Sequence, residues 1–255
     1  MKLRVLALLA AFLLVPAHFF GEATNIAEDD ASQTAYSSGW IGDTNGGSGF
    51  GKWTFTSEGN DDNRHSGFFV AGTTSNQDLN GIARSDKAFG LYANGSGFEQ
   101  AVAYRSIDKA LAIGDSFSFL MENGTFEKKF EKDDPAAGSI GLVLRTGNAH
   151  SSPGDYNSGA MFEFSYYEGK ANFQIYDGSN QTDSGVGFVD SGVSVTITLT
   201  ATDTYDLEIQ TLKDKKLTKL PGRKFSASGL IESFAVFDRN GEKNDAYFNG
   251  FQISR

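Results

Sequence analysis

The clearest pattern in this 255-residue chain is an alternation of apolar and polar residues in the runs Val193-Ser194-Val195-Thr196-Ile197-Thr198-Leu199-Thr200 and Thr204-Tyr205-Asp206-Leu207-Glu208-Ile209-Gln210. A period of two sends successive side chains to opposite faces of a β-strand, so each run has a dry face and a wet face. The carboxylates of Asp206 and Glu208 are therefore interpreted as a solvated strand face rather than a catalytic pair. The stretch predicts two consecutive antiparallel strands.

Short runs rich in β-branched and aromatic residues continue this pattern on both sides, separated by Gly, Asn, Asp and Ser clusters. They span residues 53–56, 67–72, 88–93, 101–107, 116–122, 139–146, 161–167, 170–176, 231–238 and 246–253. No helical period, internal repeat or Pro-rich linker interrupts the series. The sequence thus predicts an all-β protein, an antiparallel β-sandwich of the jelly-roll type, built as one domain over residues 36–255.

Composition and charge narrow the class of partner. The chain has 22 Phe for a core, and its 30 Gly against 4 Pro indicate tight turns. The formal net charge of −10 disfavours nucleic acid and anionic lipid, because both are bound through Lys and Arg. The same charge repels polyanionic sugars, so a neutral polysaccharide is the favoured partner. The chain has no Cys, which excludes a disulfide framework and an acylated lipoprotein.

The N-terminus has the pattern of a secretory signal peptide. Lys2 and Arg4 precede an apolar run over residues 5–14, and Val15-Pro16-Ala17 supplies small residues for cleavage. The apolar run is too short to span a bilayer, so no membrane insertion is expected. We predict a signal peptide over 1–17, with an alternative end at 23, a flexible leader over 24–35, and a secreted or periplasmic product.

A predicted hairpin carries the main candidate ligand-binding residues. Taking Glu168-Gly169 as a two-residue turn places Ser165 opposite Asn172, Glu163 opposite Gln174, and Met161 opposite Tyr176. The other face of this hairpin, including Phe164 and Phe173, is predicted to be core. The first face offers a carboxylate, two amides and aromatic rings, which suit sugar hydroxyls and C–H faces, although it also fits an ordinary solvent-facing sheet.

Two further sets of residues are candidates for binding. Trp40 and Trp53 lie in a Gly-rich loop and either stack on a ligand or plug one end of the sandwich, and plugging is favoured. The segment Asp238-Arg239-Asn240-Gly241 has the opening of a calcium loop, with Asp245 nearby. The spacing of the remaining ligands does not match, and a hairpin turn explains the segment as well. A structural Ca²⁺ held by Asp238, Asn240 and Asp245 is therefore one interpretation of this segment, and no other cofactor is expected.

A catalytic signature is missing from the sequence. It contains no Gly-x-Ser-x-Gly, no His-Glu-x-x-His and no Cys nucleophile, and the Glu-x-Asp-x-x-Glu strand of jelly-roll glucanases is lacking. A pair of carboxylates could still hydrolyse a glycosidic bond. Whether the protein is an enzyme stays open, with a non-catalytic role favoured.

Several segments resemble a known family in their order along the chain. They are Gly39-Trp40, Gly49-Phe50-Gly51-Lys52-Trp53, Ala88-Phe89-Gly90-Leu91-Tyr92-Ala93-Asn94, Ile113-Gly114-Asp115-Ser116-Phe117-Ser118-Phe119, Glu122-Asn123-Gly124 and Asn244-Asp245-Ala246-Tyr247-Phe248-Asn249. Together they resemble bacterial secreted jelly-roll domains of the concanavalin A-like lectin/glucanase (laminin G-like) superfamily. The resemblance implies a sugar-binding or surface-binding module. Related modules often hold a structural calcium with an Asp where this chain has Asn249.

The sequence favours a secreted, non-catalytic module that binds a neutral glycan or a surface matrix. A structural matrix protein that associates with copies of itself through sheet edges or aromatic loops is the alternative. A polysaccharide-degrading enzyme, either a jelly-roll glucanase or a lyase, is the third interpretation.

Overall fold

Two antiparallel β-sheets make up the protein. The computed structural model describes residues 24–59, 65–73, 79, 81–94, 98–124, 138–147, 156–178, 180–241 and 244–255. Within them, fifteen strands and one short 3₁₀ helix at Thr34–Tyr36 are present. The inner faces of the two sheets share one large apolar core. The predicted all-β sandwich is confirmed, and every strand predicted from the sequence overlaps an observed one.

The first sheet has eight strands and carries the pattern from which the fold was predicted. Its strands, in spatial order, are β13 (Leu217–Lys224), β12 (Thr204–Thr211), β11 (Val193–Ala201), β6 (Ser116–Asn123), β15 (Ala246–Ser254), β4 (Lys87–Ala93) and β3 (Ser66–Gly72), with β1 (Asn25–Asp29) also paired to β15. Val195 lies opposite Ile209, and Ile197 opposite Leu207, all four buried. The alternation in this stretch thus separates core from solvent.

The second sheet has seven strands and carries the candidate site. Its strands, in spatial order, are β10 (Gln181–Gly187), β9 (Asn172–Tyr176), β8 (Ala160–Tyr167), β7 (Ser139–Arg145), β14 (Ser233–Arg239), β5 (Glu99–Ile107) and β2 (Phe50–Gly59). The outer face of this sheet holds a smaller apolar cluster, formed by Val102, Tyr104, Val143, Tyr156, Ala235 and Phe237. Part of this outer face is therefore covered rather than solvated.

Three strands were missed by the sequence analysis. The segment predicted as a flexible leader contains β1, whose Ala27 and Asp29 are buried, so that prediction was wrong for these residues. Strands β10 and β13 were also missed, because both are rich in polar residues and contain Gly or Pro. Such strands lack the one-sided apolar pattern on which the prediction relied.

Asn249 has a structural role at the point where β15 changes partners. Strand β15 pairs with β4 through residues 246–248 and with β1 through residues 251–254. Between these two stretches, the side-chain amide of Asn249 donates to the carbonyls of Ile82 and Lys87, and its Oδ1 accepts from the amides of Ala31 and Gly250. These bonds use both ends of the Asn249 amide and stabilise the exchange of partners.

The predicted signal peptide, whether it ends at 17 or at 23, lies outside the described residues. Among the residues that are described, no helix has the length and apolar character needed to cross a membrane.

Candidate functional site on the second sheet

The hairpin of β8 and β9 has the predicted faces but a different register. Strand β8 ends at Tyr167 and β9 begins at Asn172, so the loop between them has four residues instead of two. Glu163 therefore lies opposite Tyr176, and Ser165 opposite Gln174. The predicted pairs were wrong by two residues. Because a shift of two preserves the pleat, each of these side chains remains on its predicted face.

The core face of this hairpin is as predicted. Phe164 and Phe173 are buried and their rings stack at a centroid distance of 5.1 Å. Met161 was expected on the opposite face with Tyr176, but it belongs to the core cluster. A register irregularity between Leu144 and Arg145 of the neighbouring strand β7 lies beside it, and such irregularities change which face a side chain occupies.

An open pocket of about 390 Å³ lies over the outer face of this hairpin. We call it the Glu163 pocket. Its lining residues are Tyr156, Asn157, Ala160, Met161, Phe162, Glu163, Tyr167, Tyr176, Gly178 and Arg239. This size lies within the range of small-molecule sites. Among the described residues that line the pocket, Glu163 is the sole carboxylate.

Glu163 is almost fully buried, with 7% of its surface exposed. Its Oε1 accepts hydrogen bonds from the Ser165 hydroxyl at 2.6 Å and the Tyr167 hydroxyl at 2.9 Å. Its Oε2 makes no hydrogen bond with any described residue. Burial raises the pKa of this carboxyl, and the two donated hydrogen bonds oppose that rise. One oxygen is thus held in place while the other is available to a ligand.

Three tyrosines surround the carboxyl of Glu163. Tyr167 and Tyr176 are half-buried, with ring centroids 6.3 Å apart. The ring of Tyr156 stacks on Phe237 at 4.5 Å. Burial and the nearby Glu163 carboxylate raise the pKa of Tyr156 to about 12, and burial also raises the pKa of Tyr167. These phenols therefore stay protonated near neutral pH and can donate hydrogen bonds.

Arg239 brings a positive charge to the same pocket. Its guanidinium interacts with the Tyr156 hydroxyl and lies 5.3 Å from the centre of the Phe98 ring. The sequence pattern marked Arg239 only as part of a calcium loop, and it did not mark Tyr156 or Tyr167 as binding residues. The alternation of β8 placed Tyr167 on the face of Glu163. By contrast, Tyr156 precedes the strand and no sequence signal marked it.

The two predicted amides lie outside the pocket. Gln174 is buried, and its amide donates to the carbonyls of Asn172 and Phe173. The Asn172 amide donates to both carboxylate oxygens of Asp183 on β10. Both amides are thus engaged by their own sheet. Of the six predicted ligand-binding residues, the structure brings only Glu163 and Tyr176 together in the Glu163 pocket.

The two tryptophans lie inside the sandwich and not on a rim. Trp40 and Trp53 are 2% and 0% exposed, and their rings meet edge to face at 5.0 Å. The Trp53 indole donates to the Tyr36 hydroxyl, which in turn donates to Asp29. Neither ring is accessible for stacking on a ligand, so their assignment to a ligand site was wrong. The alternative interpretation, that they plug the sandwich, agrees with their burial.

Two of the three predicted calcium ligands, Asn240 and Asp245, are engaged by the protein itself. Asn240 Oδ1 accepts from the Glu99 amide, and the Asp245 carboxylate accepts from Asn94 and the Tyr247 hydroxyl. Asp238 is fully buried, and its pKa is raised well above the ordinary value by burial and by the charge of Asp245. In the described part of the chain, no three His, Asp or Glu side chains form a metal-binding group. Calcium at these residues stays a prediction.

Comparison with known proteins finds similar solved structures. No family model and no curated protein matches the chain. Among solved structures, the carbohydrate esterase vb_24B_21 from Shiga toxin-encoding bacteriophage phi24B is similar with 11% identity and a TM-score of 0.51, over 91% of this chain and 98% of that chain. Lectin II from Ulex europaeus is similar at 9% identity, over 90% and 98% of the two chains, with a TM-score of 0.44.

The carbohydrate recognition domain of Emp46p, in its potassium-bound form, is similar at 11% identity, over 79% and 87% of the two chains, with a TM-score of 0.43. The structure has the all-β sandwich that the resemblance implied, and the likeness to the phage protein is a likeness of fold. Likeness at such low identity shows the fold alone. Any function has to be argued from the pocket.

Proposed function

We propose that this protein binds a neutral glycan through the Glu163 pocket. The observation that carries the proposal is the asymmetry of the Glu163 carboxyl. Ser165 and Tyr167 hold Oε1, while Oε2 has no hydrogen bond from the described residues and the side chain lines an open pocket. A carboxylate oxygen that lines an open pocket and has no partner among the described residues can accept a hydrogen bond from a ligand.

The groups that line the Glu163 pocket are those that a sugar requires. A sugar hydroxyl both donates and accepts, so it pairs with the Glu163 carboxyl in either protonation state. Tyr156 and Arg239 supply donors at the same pocket, and the half-buried ring of Tyr176 supplies an apolar surface for sugar C–H groups. The net charge of −10 supports a neutral ligand over a polyanionic one. The N-terminal pattern supports a secreted or periplasmic place of action.

An enzymatic role has less support from this pocket. Hydrolysis of a glycosidic bond ordinarily uses two carboxyl groups on either side of the bond. The described pocket residues include one, Glu163, and no histidine. The fold is similar to that of a phage protein named as a carbohydrate esterase, but that likeness concerns the architecture alone.

A binding experiment with a matched pair of variants tests the proposal. Glycan arrays identify a ligand, and calorimetry then compares the wild type with Glu163→Gln and Glu208→Gln. Glu208 is an exposed glutamate on β12 of the first sheet, so it controls for the change of charge. We expect Glu163→Gln to weaken binding at least tenfold and Glu208→Gln to leave it unchanged. No glycan on the array, or equal binding by Glu163→Gln, would overturn the proposal.

Self-association is a second function that one observation favours. Edge strand β3 of the first sheet carries neither a charged residue nor a Pro, two of the features that ordinarily prevent strands of separate chains from pairing. We propose association of this protein with copies of itself as its second property.

A further inference from the structure

The strands at the ends of the two sheets differ in how they are protected. Strand β13 carries Lys219, Arg223 and Pro221 on its exposed length. Strand β10 has a register irregularity between Asp183 and Gly187. Charged side chains, Pro and irregular pairing are the common means by which edge strands avoid pairing with other chains. Two of the four strands at the ends of the sheets are thus protected against pairing with other chains.

Strand β2 also has irregular pairing and exposed charges, whereas β3 has neither. Strand β2 has a register irregularity between Phe50 and Trp53 and carries the exposed charges of Lys52 and Glu58. Strand β3 reads Ser-Gly-Phe-Phe-Val-Ala-Gly, without a charge or a Pro. It pairs with β4 without interruption from Ser66 to Gly72, and among the described strands β4 is its sole hydrogen-bonded neighbour in the sheet. A long, regular and uncharged edge is a template for another strand.

We infer that β3 pairs antiparallel with β3 of a second copy of this chain, around a two-fold axis at Phe69. Under that axis, Phe69 faces Phe69 of the copy and Phe68 faces Val70. Gly67 then faces Ala71. Large residues thus meet large ones, and small residues meet small ones, over residues 67–71. An interface around a two-fold axis must be complementary to itself, and this sequence satisfies that requirement.

The surroundings of β3 also suit a second copy. Phe69 lies over Gly90 of β4. A Cβ added to Gly90 would lie 2.5 Å from Cζ of the Phe69 ring, so the ring occupies that space. The ring centre lies 6.2 Å from that of Tyr92 and 6.1 Å from that of Tyr247. The ring thus leans onto its own sheet. Two copies of a chain with a net charge of −10 repel, so a contact strand without charge favours their approach.

Disulfide trapping tests this pairing directly, because the chain has no Cys. Directly opposed residues of antiparallel strands have Cα atoms roughly 4.5–5.5 Å apart, which is within disulfide range. After oxidation, we expect Phe69→Cys to form a covalent dimer in most molecules. Leu217→Cys, at an exposed position on β13, is expected to stay monomeric as the matched control.

The inference rests on the second proposed function, and sedimentation of the wild type distinguishes the two. A dimer that grows with concentration, together with trapping at position 69, supports both. A wild-type dimer without trapping at position 69 overturns the β3 pairing and leaves self-association standing. A wild type that stays monomeric at all concentrations overturns both. Glycan binding at the Glu163 pocket is measured separately and depends on neither result.

Opposite charges introduced at position 69 distinguish a loss of strand pairing from a loss of side-chain packing. Phe69→Lys and Phe69→Glu each place like charges opposite each other at the two-fold axis. We expect each variant alone to dimerise at least tenfold more weakly than the wild type, and an equimolar mixture to restore association. Both variants lack the ring, so lost packing cannot explain a recovery in the mixture. A mixture that fails to associate would contradict the pairing.

Discussion

The aromatic cluster around Trp40 and Trp53 and the Glu163 pocket contain similar residue types in opposite situations. At the tryptophans, the carboxylate of Asp29 is paired with Arg105 and accepts from Tyr36, and the rings of Trp53 and Phe89 pack at 5.7 Å. In the Glu163 pocket, one carboxyl oxygen lacks a partner among the described residues, and the rings of Tyr167 and Tyr176 are half-buried.

The difference distinguishes a carboxylate that stabilises this sandwich from a carboxylate that can bind a ligand. The Asp29 carboxylate lies between the two sheets, where its bonds with Arg105 and Tyr36 hold β1 to β5 and its other oxygen is enclosed by the protein. The Glu163 carboxylate lines an open pocket, where a ligand can reach it. Aromatic richness alone does not distinguish the two regions, since aromatic residues serve cores and binding surfaces equally well. The predictions that follow test this contrast.

The largest effect is expected from Arg105→Ala. The side chains of Arg105 and Asp29 are both fully buried, and removing one partner leaves an uncompensated buried charge. We expect the free energy of unfolding to fall by about 3–5 kcal/mol in urea denaturation. Lys219→Ala, which breaks an exposed ion pair with Glu208, is the control and should cost about 0–1 kcal/mol. Equal costs for the two variants would mean that the buried pair does not hold β1.

Phe173→Ala is expected to cost about 3–5 kcal/mol of stability, because its buried ring leaves a cavity. Tyr176→Ala, three residues further along β9 and on the opposite face, provides the comparison. We expect the Tyr176 variant to unfold close to the wild type in a thermal melt. If the two costs were reversed, the assignment of the faces of β9 would be wrong.

Tyr176→Ala is expected to act on ligand binding instead. Loss of a ring that serves as a binding anchor typically costs about 1–3 kcal/mol of binding free energy, which calorimetry with the array-identified glycan would measure. Tyr176→Phe keeps the ring and should retain most of the affinity. Full affinity in the alanine variant would remove Tyr176 from the site.

The smallest effect is expected in the pH dependence of stability. Burial raises the pKa of Glu163 above the ordinary value of 4.5, so the folded state holds this proton more tightly than the unfolded state. The resulting stability is fully present below the ordinary pKa and is lost as the pH rises through the folded pKa. Relative to Glu163→Gln, the wild type should therefore become less stable as the pH rises through that window.

Urea denaturation of the wild type and Glu163→Gln at a series of pH values measures this difference. Glu208→Gln is the matched control on the exposed face of the first sheet, and its stability relative to the wild type should not follow the same curve. A difference between the wild type and Glu163→Gln that does not change with pH would show that the carboxyl is not desolvated.

Much of the sandwich could be predicted from local sequence patterns, whereas the candidate site could be predicted only in part. Strands with one apolar face, such as β11 and β12, were predicted because burial imposes a period of two on the residues. Strands β1, β10 and β13 lie at or beside sheet margins, where burial imposes little pattern. The register of β8 and β9 depended on a loop conformation that Glu168-Gly169 did not reveal. The faces survived because the error was an even number of residues.

The amino-acid order was enough to establish the all-β class, the antiparallel sandwich and the faces on which Glu163, Tyr176, Phe164 and Phe173 lie, since these follow from alternation along each strand. Three-dimensional packing was needed to bury Trp40 and Trp53, to bring Tyr156 and Arg239 beside Glu163, and to engage Gln174 within its own sheet. Those outcomes depend on contacts between residues far apart in the chain, such as Asp29 with Arg105. Local periodicity carries no information about such contacts, because it reports which side of a strand is dry and not what lies against it.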